Sequence, residues 1–305
     1  LGLKRVMMMP DRSGLCAQLL RNLRSRARVS GSPLPGVEFV DMDVSSSSQD
    51  SRHAARRMRE AGVNALVVLG GDGTHRDVAS ASGNIPLACI STGTNNAFPA
   101  FHEATTVGMA LGVALSRNQS EVAVIEPNKR IVVRCGEEML DRALVDVAVV
   151  REQWIGSRAV WDPASLAQVY LAFCEPSALG MSSIGSACDL VARQDPRGLA
   201  VELHPTLAAP TTDADGTKRT PTNGTAPARI AAVPLTPGRL FAVGIARSWT
   251  LELNQPHLIN YRGGVLALDG EREIECRADA EYSVCLDFDG PKTLNIPLTM
   301  QAASE

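Results

Sequence analysis

The chain has 305 residues, 45% hydrophobic and 21% charged, with a formal net charge of −3. That length accommodates one large domain or two with separate cores. The charge balance excludes the general attraction to nucleic acid or anionic membrane that a basic surface provides, and no apolar run approaches the ~20 residues of a membrane span.

The first third alternates strand-like and helix-like segments. "KRVMMM" (4–9) predicts a strand and amphipathic "LCAQLLRNLRSRA" (15–27) a helix. "VEFVDM" (37–42) predicts the next strand. It is followed by an amphipathic helix over 49–62, with Gly62 placed as its C-cap. Then come "ALVVL" (65–69), a short helix near 74–82, "IPLACI" (85–90) and a long helix over 103–118. This rhythm with continuous apolar strands predicts a parallel sheet covered on both faces. The arginines at 21, 24, 26 and 28, and at 52, 56, 57 and 59, alternate with apolar residues and read as solvated helix faces.

Beyond residue 119 the texture changes. Short β-rich runs ("EVAVIE", "RIVVRC", "RALVDVAVV", "LAVEL", "RLFAVGI", "GVLALDG", "EIECRA", "SVCLDF") are separated by turns. They predict a mostly antiparallel second domain. The expected division is 1–118 for the α/β domain and 119–290 for the β-rich domain, with 291–305 returning to the first. Residues 210–228, polar and rich in Pro, Gly and Thr, read as a surface excursion between strands. The seven cysteines form no CxxC pair and no zinc spacing, and the N-terminal stretch has only Val6 to Met9 after its basic pair, too little for a signal peptide. The expectation is a reduced, cytoplasmic protein.

Two polar loops carry the chemistry. "LGGDGTHR" follows one predicted strand and "STGTNNAFP" (91–99) the next. Right-handed crossovers bring both loops to one sheet edge, where open α/β sheets bind ligands. Gly70, Gly71 and Gly73 would let backbone N–H groups approach an oxyanion, with Thr74 beside them at a helix N-terminus. Asp72 sits oddly in an anion cradle unless it holds Mg²⁺ or takes a proton from an attacking hydroxyl, and that pairing points to phosphoryl transfer. Thr92, Gly93, Thr94, Asn95 and Asn96 are the matching nucleotide or ribose contacts. A plain capping role for Asp72 and Thr74 is the alternative. There is no GxxxxGK[ST], GxGxxG or GxSxG. His75 reads as an exposed first-turn residue.

"LGGDGT" followed one strand later by "STGTNNAFP" resembles the ATP–NAD kinase family, within the larger group that includes diacylglycerol and sphingosine kinases. The wording is most similar to that family's acetoin catabolism protein X branch. The resemblance implies a Rossmann-like N-terminal domain, a β-rich C-terminal domain and a nucleotide cleft between them, with ATP and Mg²⁺ as cofactors and NAD as substrate or ligand. "ALVDVAVVRE" (143–152) resembles the stretch that carries an Asn-Glu pair in NAD kinases. Here the pair is Val145 and Asp146, so the acid persists and the amide is lost. "GMSSIGSACDL" (180–190) resembles the family's nucleotide loop and makes Gly185 and Ser186 candidates. "LALDGERE" reads as a hairpin with an Asp-Gly turn; the lipid-kinase relatives carry an acid in a similar turn, which makes Glu271 an acid–base candidate.

The leading expectation is a kinase that transfers a phosphoryl group to a hydroxyl of NAD or a related small molecule, with no nucleic-acid or membrane partner. The family's habit adds a dimer or tetramer. Two rivals stand beside it. One is a nucleotide-binding regulatory protein without turnover, favoured by the lost amide at Val145. The other is a lipid kinase, suggested by "GTNN" and "DGE", although the chain offers no exposed amphipathic apolar helix to dock on a membrane.

Overall fold

The computed structural model describes residues 4–30, 35–116, 120–151, 163–176, 179–204, 229–270 and 272–305. The α/β part runs β1 (Arg5–Met8), α1 (Leu15–Ser30), β2 (Gly36–Phe39), α2 (Gln49–Glu60), β3 (Leu66–Gly70), α3 (Asp72–Ser82), β4 (Leu87–Ser91) and α4 (Ala104–Leu115). This is the alternation that the apolar periodicity predicts. β1 and β2 pair in parallel as a sheet of their own, and β3 and β4 pair in parallel in another. Period-2 alternation splits the second pair between two cores. Leu66, Val68 and Leu87 pack with Ala55 and Val78, while Ala88 and Ile90 pack with Val107, Ala110 and Leu111 of α4. Gly62, past the end of α2, takes φ 73°, as a helix C-terminal glycine does.

The chain continues through β5 (Ile125–Pro127), β6 (Arg130–Cys135), β7 (Glu138–Ala143), β8 (Asp146–Val150), β9 (Leu166–Leu171), α5 (Ser182–Ser186) and β10 (Arg197–Leu203). After these come β11 (Arg229–Thr236), β12 (Arg239–Glu252), β13 (Pro256–Leu258), β14 (Val265–Leu268), β15 (Arg272–Glu275), β16 (Tyr282–Asp287), β17 (Lys292–Leu294) and α6 (Ile296–Ala302). Two antiparallel sheets result: a seven-stranded one in order β11-β12-β10-β9-β8-β14-β15, and a four-stranded one in order β13-β16-β6-β7. Ile131, Val133, Val147, Val149, Tyr170, Leu266, Leu268, Val284 and Leu286 share one core that joins the two sheets. Ala148, Val150, Leu171, Val201 and Ile184 of α5 belong to a second core. β8 therefore contributes to both cores and is buried along its whole length.

β9 is a strand that the sequence pattern does not announce. It is buried on both faces, so its "LAQVYL" does not alternate, and its one polar pair is closed internally by Tyr170 donating to Gln168. β17 adds in parallel to β4 at Thr293–Leu87 and antiparallel to β5, giving the order β3-β4-β17-β5. The first sheet thus extends past residue 118 to Pro127. The excursion at 210–228 lies outside the described residues.

Gly185 shows how tightly α5 is seated on its sheet. A Cβ there would collide with the Leu171 side chain and stand 2.9 Å from the Cys174 Cβ. Gly185→Ala is expected to destabilise the fold by about 1–3 kcal/mol through overpacking, read as a lowered urea midpoint. An unchanged midpoint would mean that α5 can lift off the sheet without cost.

Candidate functional site

β3 ends at Gly70 and β4 at Ser91, so their loops leave the sheet at the same edge. The Thr92 N–H donates to the Gly70 carbonyl at 3.3 Å, and the second loop closes on itself where the Ser91 N–H donates to the Ala100 carbonyl. A Cβ on Gly70 would stand 2.6 Å from that of Thr74. A Cβ on Gly71 would meet the Asn96 Oδ1 at 2.8 Å, and one on Gly93 the Asn96 Nδ2 at 2.8 Å. The space these glycines open is therefore occupied by Thr74 and Asn96 of the chain itself. Asn96 also donates to the Ser91 hydroxyl. Gly73 is buried in the first turn of α3, and Thr92 and Thr94 are exposed at the loop surface.

Asp72 opens α3, directly after the N-cap Gly71. Its carboxylate reaches across to the second loop, where both oxygens accept from the Ala97 N–H and Oδ1 also accepts from Phe98 at 2.8 Å. The carbonyls of the same two residues accept from Arg193. Phe98 lies in the core shared by the two antiparallel sheets, with the Arg193 guanidinium 5.5 Å from its ring centroid and 4.4 Å from that of Phe173. The loop is thus clamped between α3 and the β-rich part.

One turn along α3, Arg76 donates to the Leu268 carbonyl at 2.7 Å and stands 3.7 Å from the Asp269 carboxylate. Asp269 follows β14 at φ 49°, in the Asp-Gly turn, and accepts from the backbone N–H groups of Leu144, Val145 and Asp146. Burial pushes its carboxyl up to about 7 against the pull of Arg76, and the charge of Asp72 pushes the same way. Asp146, at the start of β8, is wholly buried, and its Oδ1 has no hydrogen-bond partner. Burial first, then Asp269 and Asp72, holds its carboxyl well above the usual range, with Arg76 pulling the other way. Asp72, Asp146 and Asp269 form a cluster of three carboxyls around one guanidinium.

Nearby, the Asn95 Oδ1 is a second buried acceptor without a partner, and a Cβ on Gly180, just before α5, would stand 3.6 Å from the Asn95 amide. His75 corrects the expectation of an exposed residue. It is fully buried, bonded through Nδ1 to the Gly71 carbonyl and tilted against Phe98 at 5.9 Å; burial lowers its pKa and keeps it neutral.

The fold therefore brings Asp72, Asn95, Asn96 and Asp146 to one edge. Gly185 and Ser186 lie in α5, where Gly185 packs closely on its sheet and Ser186 bonds back to the Ser182 and Ser183 carbonyls. Val145, the position of the lost amide, is core. Glu271 lies outside the described residues; the buried acid of the Asp-Gly turn is Asp269. Among the described residues no group of three or more Asp, Glu, His or Cys side chains is arranged to hold a metal ion. Mg²⁺ is usually held by one or two carboxylates with phosphate and water for the rest, and Asp72 would supply one such carboxylate. Sequence reasoning passed over Arg76 and Asp269. The (i, i+4) spacing of Asp72 and Arg76 puts the two on one helix face, and the Asp before Gly270 closes a fully apolar strand. Both signals are visible in the sequence.

A pH dependence follows. Asp269 holds its proton more tightly in the folded protein than in the unfolded chain, where a carboxyl titrates near ~3.9. Folding then binds extra protons between about pH 4 and about pH 7, so stability falls as pH rises through that window; Asp146 acts in the same direction. Asp269→Asn keeps an acceptor for the three N–H groups. It should flatten the decline in melting temperature measured from about pH 5 to about pH 8. An equally steep decline would place the titration elsewhere.

The ATP-NAD kinase N-terminal domain family matches residues 3–114, and the acetoin catabolism protein X C-terminal domain family matches residues 129–289. Acetoin catabolism protein X of Cupriavidus necator is 40% identical over 306 aligned positions, covering 99% of this chain and 80% of that protein. In fold, the chain resembles yeast NADH kinase complexed with NADH, at a TM-score of 0.53 and 13% identity over 99% of this chain and 87% of that one. The chain belongs to the acetoin catabolism protein X family, built on an NAD kinase-like fold.

Proposed function

We propose that the chain binds a nucleotide at the edge formed by α3, the loop at 91–99 and the start of β8, and transfers the γ-phosphoryl group of ATP to a hydroxyl. The acceptor would be NAD or a related small molecule, in a reaction connected with acetoin catabolism. One observation carries this reading: the carboxyl cluster of Asp72, Asp146 and Asp269 beside two buried acceptors without partners, Asp146 Oδ1 and Asn95 Oδ1. Oxygens of this kind suit hydroxyl or amide donors, as a ribose or a carboxamide provides. The cluster accordingly holds the hydroxyl-bearing molecule. Membership of a family whose N-terminal half matches ATP-NAD kinases supports ATP as the phosphoryl donor.

In the proposed step the acceptor hydroxyl oxygen bonds to the γ-phosphorus as the bond to the ADP oxygen breaks, and the hydroxyl proton passes to a carboxylate. Asp72 is the partly exposed member of the three and accepts N–H bonds with both oxygens, as an anion does. It is the base in this reading, beside an Asp146 carboxyl that burial holds well above its usual range. Arg76 and the backbone N–H groups on Asp269 fix the cluster in place.

A second reading, nucleotide binding without turnover, is favoured by the filling of the glycine loops. Thr74 and Asn96 occupy the space at Gly70, Gly71 and Gly93 in which a phosphate would otherwise lie.

Calorimetry with ATP and with NAD, beside an assay of ADP release over a panel of hydroxyl acceptors, separates the two. The expected outcome is nucleotide binding plus acceptor-dependent ADP release. Asp72→Asn, which retains an oxygen for the Ala97 and Phe98 N–H groups, should lower turnover by roughly 10²–10⁴-fold while sparing affinity. Turnover that survives in this variant would remove Asp72 from the chemistry. Tight binding with no ADP release would favour the second reading.

A further inference from the structure

A cavity of about 270 Å³ lies on the α2 side of α3, where α2 and α3 face β7 of the β-rich part. It is at the small end of ligand cavities, which run from about 300 Å³ upward, and has room for an oxyanion on a short carbon skeleton. Its lining is polar and unusually rich in guanidinium groups: Arg52 from α2, Arg76 from α3 and Arg142 from β7.

Their donors are only partly used. Arg142 has no hydrogen-bond or ion-pair partner for its guanidinium among the described residues, although its residue is half-buried. Arg52 pairs through Nη2 with Asp77 at 2.9 Å, but its Nε is buried without a partner. A buried N–H left unmet costs about 1–3 kcal/mol, so such a donor marks a place where an acceptor belongs. The carboxylates in the wall do not fill that need. Asp77 is held by Arg52, and Asp141 accepts from the Arg142 backbone N–H and has a further partner of its own. Arg76 is engaged by Leu268 and Asp269 on its other side, and the Ser80 hydroxyl donates to the Asp77 carbonyl, so the cavity's available donors are Arg52, Arg142 and Ser48.

We propose that this cavity is a binding site for the oxyanion of a small metabolite, a phosphate or carboxylate group gripped by Arg52 and Arg142. The planar fork of arginine matches both anions bidentately, and a partly enclosed site screens them less than open water does. The site stands apart from the carboxyl cluster and does not depend on phosphoryl transfer. Arg76 is the one residue common to both, so an anion bound here would sit one side chain away from Asp269.

The test is calorimetry of the unmodified protein with inorganic phosphate in one arm and malonate in the other, at constant ionic strength with chloride as the background anion. At least one of the two should bind saturably. Arg142→Gln should weaken that binding by about tenfold or more, the loss expected for charge-assisted bonds, and Arg52→Gln should weaken it too. Arg142 has no partner to lose, so its variant should melt at the unmodified temperature in chloride, which separates lost binding from lost folding. Binding of phosphate alone assigns a phosphorylated metabolite, and binding of malonate alone a carboxylate one. No saturable binding in either arm, or undiminished binding in both variants, overturns the site.

Discussion

The two-residue segment Ala97–Phe98 joins the halves of the molecule. Its N–H groups are taken by Asp72 at the start of α3, its carbonyls by Arg193 of the β-rich part, and the Phe98 ring enters the core shared by the two antiparallel sheets. Each charged partner strengthens a backbone bond, at roughly 1.5–3 kcal/mol net apiece. Burying the ring adds a hydrophobic contribution of about the same size. The rest of the candidate site depends on this clamp, because it sets how far α3 stands from β8 and β14. β17 and α6 reinforce the arrangement from the other end of the chain, the strand by pairing with β4 and the Leu294 and Ile296 side chains by packing into the α4 core.

With α3 held there, one helix face brings Asp72 and Arg76 against Asp146 and Asp269. Three carboxyls in so dry a place cannot all ionise, and a single guanidinium does not neutralise them. The outcome is an Asp146 carboxyl held well above its usual range and an Asp269 carboxyl pushed up to about 7. On the other side of the same helix, Asp77 and Ser80 line a small cavity with Arg52 and Arg142, and Arg76 borders it. α3 therefore separates an acidic edge from a basic one, with Arg76 between them. In such an arrangement a hydroxyl-rich molecule and an anionic one do not compete for the same ground.

The glycines of "GGDGT" and "GTNN" have a packing role that spacing alone does not show. From spacing alone they read as a clearing for phosphate. In the folded chain Gly70 also makes way for Thr74 one turn on, Gly93 for Asn96 within its own loop, and Gly71 for Asn96 across the two loops.

Much was legible in the amino-acid order because it is written locally. Apolar periodicity and glycine punctuation located β1 to β4 and α1 to α4, and the change to short strands marked the antiparallel part. Two loops after successive parallel strands had to share an edge, which placed Asp72 beside Asn95 and Asn96. The resemblance carried by those loops led to the family. What only the tertiary structure decided is long-range by nature. β9 is buried on both faces and carries no alternation. His75 is enclosed by Phe98 from a different loop. The acid in the Asp-Gly turn that matters to the cluster is Asp269, because its backbone partners at 144–146 lie more than a hundred positions away in the chain. Burial and proton affinity are properties of what surrounds a group, and for Asp146 and Asp269 the surroundings come from strands and a helix that no local pattern connects.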